Sequence, residues 1–132
     1  MDPMRLFPVI AIVSIPTVMF GGYALLRFLT IDNRLSEFQL TFFRAGHAHA
    51  GVLLVLALVC FDYLGRTRYS DSVRWVLGIA LVLGIVAQSG GFFLHMGIGA
   101  PGRASAGTRV TQLGAVILAI AMLVLAYGVA VA

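Results

Sequence analysis

Four long apolar stretches separated by short polar connections dominate the chain: Leu6–Leu29, Leu40–Leu64, Val73–Met96 and Val110–Val131. Each runs roughly 22–25 residues, enough for a helix rising about 1.5 Å per residue to cross a hydrocarbon core of about 30 Å. Backbone amides and carbonyls in lipid need partners within their own segment, so each stretch is predicted to be a helix. Helices of a soluble core this long would carry polar faces, and here polar positions are few. Short connections favour antiparallel neighbours. The expected fold class is therefore all-α: an integral membrane, antiparallel four-helix bundle forming one domain over residues 1–132.

The connections refine this outline. In the first span Pro8 suits an opening turn, whereas Pro16 sits deeper and predicts a kink. Between spans one and two, Thr30–Gln39 carries Leu35 and Phe38 at helical spacing among polar residues, which predicts a short helix lying at the interface. Between spans two and three, Gly65–Ser72 offers Asp71 or Ser72 as a helix cap. The third connection, Gly97–Gly107, is too rich in Gly and Pro to be helical throughout, and Thr108 is the expected cap of span four.

Composition agrees with a membrane protein. Mean hydropathy is +1.02, far above that of an ordinary soluble domain. The formal charge of +4 comes from nine basic residues, all arginine. They are scattered at span ends and form no stripe, so interfacial anchoring and topology account for them and a nucleic-acid partner is not expected. Arg5, Arg66, Arg68 and Arg74 fall on the side of both termini, and Arg27, Arg34, Arg44, Arg103 and Arg109 on the other. The three arginines at Gly65–Arg74 lean the assignment towards cytoplasmic termini in the inner membrane of a bacterial cell. The start of the chain, Arg5 followed by an apolar run, is read as a retained first span rather than a cleaved leader. Cys60, the only cysteine, forms no intrachain disulfide and is expected to pack.

Candidate chemistry centres on three histidines, His47, His49 and His95. Ionisable or ligating side chains in a bilayer are expensive and ask for a function. Antiparallel threading puts the start of span two and the end of span three on one membrane side, so the three imidazoles share a depth. Gln88, Ser89, Met96, Thr108, Thr111 and Gln112 fall in the same half. Residues two apart on a helix diverge by about 200°, so His47 and His49 face different ways. Gly84, Gln88, Gly91 and His95 form one stripe, mixing small and polar residues as helix contacts in membranes do. That stripe is expected to face the bundle interior, where one histidine of span two meets His95.

The leading reading is haem or transition-metal ligation by His47, His49 and His95, since neutral imidazole suits copper and haem iron. The cofactor would be haem b or an ion such as copper. Gly46 and Gly91, with Gly51 and Gly84, leave room for a macrocycle, and Arg44, Arg103 and Arg109 are candidate partners for its propionates. Electron transfer, sensing or cofactor handling would follow. A small transporter with a histidine-lined path, working as a homo-oligomer, and an accessory subunit of a larger membrane complex are the alternatives. Absent residues remove other classes. No carboxylate lies near the histidines within the spans, against a carboxylate-bridged di-iron site. Ser89 and His95 are six apart, on different helix faces, against a serine hydrolase.

The run Phe42-Phe43-Arg44-Ala45-Gly46-His47-Ala48-His49-Ala50-Gly51, with Gly90-Gly91-Phe92-Phe93-Leu94-His95 later, resembles a group of small four-span bacterial membrane proteins over most of the chain. That resemblance implies the fold and no activity. More loosely, the His-x-His beside glycines is similar to spans of haem–copper oxidase relatives and nitric-oxide-response membrane proteins. It implies haem or copper at His47 and His49, with His95 a further candidate, in a relative with one centre.

Overall fold

The computed structural model describes residues 2–132, which form four helices: α1 (Pro3–Arg27), α2 (Glu37–Arg66), α3 (Asp71–Ile98) and α4 (Ala106–Ala130). All four are long and apolar enough to cross a membrane. The chain is an all-α, four-helix bundle of the multi-pass membrane type.

Every helix begins ahead of its apolar run, and at α1, α2 and α4 a capping side chain rather than hydropathy sets the start. Asp2 accepts from Met4 N at 2.8 Å, with Pro3 in the first turn of α1. Ser36 and Gln39 form a reciprocal capping box at α2, with bonds of 3.2 and 3.0 Å. Ser105 opens α4, and Thr108 is its third residue rather than its cap. α3 is the exception: Ser70 holds the cap position without a side-chain capping bond, and Asp71 lies inside the first turn 3.5 Å from Arg74.

The first connection differs from the sequence expectation. No interfacial helix forms. Instead α1 runs into a π-helical turn, Phe28–Asp32, ended by Asn33 in the left-handed region at φ 34°. Asn tolerates that conformation. Asp32 folds back onto Arg27 at 3.0 Å. Leu35 stays in the connection and Phe38 joins the first turn of α2.

The helices are not packed in a closed square. α2 and α3 occupy the middle; α1 flanks them on one side and α4 on the other, and α1 and α4 do not touch. The core joins Phe7 and Ala11 of α1 to Phe61 and Leu64 of α2, Leu77 and Leu81 of α3, and Leu118 and Leu125 of α4. Cys60 is buried among them. The α3–α4 crossing is the tightest. Gly91 faces Thr111 and Gly107, Gly114 faces Gln88, and Gly84 faces Leu118. The small-residue stripe of α3 therefore packs on a matching stripe of α4, which lets the two backbones approach. At the other end Tyr69 lies over Gly128 and donates to Val124 O at 2.7 Å, tying the second connection to α4. Asp62 and Arg66 form an exposed ion pair on α2.

Candidate functional site

The end of the bundle where α1 and α3 finish and α2 and α4 begin carries all three histidines. Antiparallel threading puts them there, and the structure agrees. The faces they present are a separate matter.

His95 occupies the last turns of α3 and is only 6% exposed. The connection after it turns through an Ala100–Arg103 bridge, with Gly102 at φ +71°, and brings the start of α4 back over α3. Only glycine adopts that backbone freely. As a result Ser105 Oγ lies 2.7 Å and Thr108 Oγ1 3.2 Å from His95 Nδ1. Those hydroxyl oxygens also cap α4: Ser105 Oγ accepts from Gly107 N and Thr108 Oγ1 from Ser105 N, each at 3.1 Å. From α2, Phe42 and Phe38 cover the ring, with centroids 4.3 and 5.5 Å away. A cavity of about 110 Å³ remains beside it, lined by Phe42, Phe92, His95, Thr108, Thr111 and Gln112. Nε2 of His95 has no hydrogen-bond partner among the described residues.

His49 turns towards α3. Its Nδ1 is 2.8 Å from Ala45 O. A carbonyl only accepts, so Nδ1 carries a proton and donates it to Ala45 O. Phe92 covers this ring at 4.7 Å. His47 turns the other way, against α1, where its ring lies on Gly21 and Gly22. Imidazole hydrogen bonds among the described residues are confined to His49 and His95.

Three expectations need correction. The expected meeting of His95 with one imidazole of span two does not occur, and no group of three or more His, Cys, Asp or Glu side chains among the described residues is placed to hold a metal ion. Phenylalanines cover His95 and His49 where a second imidazole was expected. The glycines expected to make room for a macrocycle are occupied by protein. Gly46 abuts Phe92 and Phe93, and Gly91 abuts Thr111 and Gly107. Arg44, Arg103 and Arg109 are exposed and do not line the His95 cavity. They have no carboxylate partner among the described residues.

Other polar groups are consumed locally. Ser89 is buried and its hydroxyl donates to Ile85 O one turn back. Thr111 Oγ1 donates to Gln88 O at 3.3 Å across the α3–α4 crossing. Sequence reasoning missed Ser105 as a partner of His95 and the Phe38/Phe42 cover. The available signal was a Ser-x-x-Thr capping pattern, and two aromatics one turn apart on the helix opposite.

Because Ser105 both caps α4 and holds the imidazole, Ser105→Ala should lower stability by about 1 kcal/mol. It should also move the His95 imidazole nitrogen resonances. A denaturation midpoint and ¹⁵N spectra of the imidazoles check the two effects together.

The fold and this end of it define a four-span α-helical membrane protein with a buried, anchored imidazole. No protein-family model, curated protein or solved structure matches the chain.

Proposed function

We propose that this protein binds a transition-metal ion at its histidine-bearing end, with His95 as the anchoring ligand, and handles or passes on that ion. The observation that carries the reading is the geometry of His95. Its Nδ1 is held at 2.7 Å by Ser105 inside the protein, leaving Nε2 uncommitted. Ligating histidines characteristically have their second nitrogen fixed in this way. Thr108, Thr111 and Gln112 bring neutral oxygens to the same cavity.

Haem is a poor fit. A cavity of about 110 Å³ does not admit a macrocycle, and the glycines that would have made room are filled. A small ion fits, and imidazole suits copper, zinc, iron or nickel. With a single imidazole and no carboxylate at the cavity, the shell is open and the ion exchangeable, as suits handling rather than a structural role. The expected location is the inner membrane of a bacterial cell.

Metal analysis and copper or zinc titration of the purified protein test this. About one equivalent should bind and come off with a chelator, and His95→Ala should lose it. Protein that binds neither ion, or His95→Ala protein that binds as the parent does, ends the proposal.

A further inference from the structure

Charge separates the ions that an imidazole can hold, and the cavity beside His95 supplies no negative charge. Its lining of Phe42, Phe92, His95, Thr108, Thr111 and Gln112 contains neither carboxylate nor thiolate. The chain has five acidic residues. Asp2, Asp62 and Asp71 belong to the opposite end of the bundle. Of the two at this end, Asp32 is paired with Arg27 at 3.0 Å, and Glu37 is exposed in the first turn of α2. Arg34, Arg44, Arg103 and Arg109 are exposed at the same end, without a carboxylate partner among the described residues. α4 also begins here, with Thr108 its third residue and Thr111 its sixth. The positive end of its dipole therefore adds to the field of the arginines.

The cost of taking an ion out of water grows as the square of its charge, so a divalent ion costs about four times as much to bury as a monovalent one. Anionic ligands ordinarily offset that cost, and this cavity has none. The donors are also few. Thr111 Oγ1 gives its proton to Gln88 O, and Thr108 Oγ1 accepts from Ser105 N while facing His95 Nδ1. His95 Nε2 and the Gln112 amide are the groups without a hydrogen bond among the described residues. Monovalent copper accepts two or three ligands, whereas zinc characteristically takes four. The remaining wall is the rings of Phe42 and Phe92, whose π-systems attract a weakly hydrated cation.

Resting on the reading of His95 as a metal ligand, we infer that the ion handled here is monovalent copper, Cu(I), held by His95 Nε2 and the amide oxygen of Gln112 against the two phenylalanine rings. A divalent ion is selected against by the positive, carboxylate-free surroundings.

The test uses the full chain in lipid nanodiscs without oxygen. Cu(I), kept reduced by ascorbate, is partitioned against bicinchoninate, and Zn(II) against a colorimetric zinc chelator. Cu(I) should bind about 100-fold more tightly than Zn(II) or better, and His95→Ala should remove it. Gln112→Glu places a carboxylate at an exposed position of the cavity wall. It should narrow the preference for Cu(I) about ten-fold, because a carboxylate attracts a divalent ion twice as strongly as a monovalent one. Zn(II) bound as tightly as Cu(I), with both lost in His95→Ala protein, overturns the choice of ion and leaves His95 a ligand. A preference that Gln112→Glu does not move overturns it as well. If neither ion binds, or both bind unchanged in His95→Ala protein, the metal reading itself falls and this inference with it.

Discussion

Replacing Gly107 with valine should force α3 and α4 apart and lower the stability of the helix pair by about 3 kcal/mol. A Cβ at Gly107 would fall on the backbone nitrogen and Cα of His95 and on the carbonyl oxygen of Gly91. None of these is a flexible side-chain end, so no rotamer change relieves the collision. In lipid the helices gain little from apolar burial and depend on close contact, which makes a wedge here especially damaging. The comparison is Gly90→Ala: that position has open space around it. It should be neutral, or stabilising by up to about 1 kcal/mol through helix propensity. Unfolding in mixed micelles measures both. A parent-like midpoint for Gly107→Val protein would show that the crossing is looser than described. The same variant should disturb the His95–Ser105 contact, since Gly107 lies between the two elements that make it.

Removing the ring of Phe7 should be nearly as costly. Phe7 is 3% exposed and stacks on Phe61 at 5.6 Å. It meets Trp75 edge-on at 5.3 Å, and it lies over Gly78, where any side chain would strike it. Few other residues of α1 are buried: Pro3 and Ala11 complete the set. Phe7→Ala should therefore cost about 2–4 kcal/mol, mostly from lost packing and the cavity left behind, because lipid removes much of the transfer contribution. Trp75 is the only tryptophan, so its emission reports the loss of its neighbour directly. Unaltered emission together with an unaltered unfolding midpoint would show that α1 is held elsewhere.

The four spans were legible because apolar runs of sufficient length have one solution in lipid. Their first turns were not, because polar caps such as Ser36–Gln39 and Ser105–Thr108 look like connection to a hydropathy reading. The common end for the histidines followed from threading alone. Which neighbour each imidazole meets did not. Helical angles separate His47 from His49, but they do not say that α1 receives the first and α3 the second. The glycines were the harder ambiguity. Gly84 and Gly91 at a seven-residue interval suit either a flat ligand or an adjoining backbone, and the matching Gly107 and Gly114 on α4 decide for the backbone. Leu35 and Phe38 look like an amphipathic turn. Phe38 instead belongs to the cover over His95.

The absence of any contact between α1 and α4 bears on how the molecule comes together. Once α2, α3 and α4 have joined, the central crossings are complete without the N-terminal helix, whose attachment rests on a few side chains such as Phe7. Detachment of α1 would leave the α2–α3 and α3–α4 crossings in place, an opening smaller than unfolding of the whole bundle.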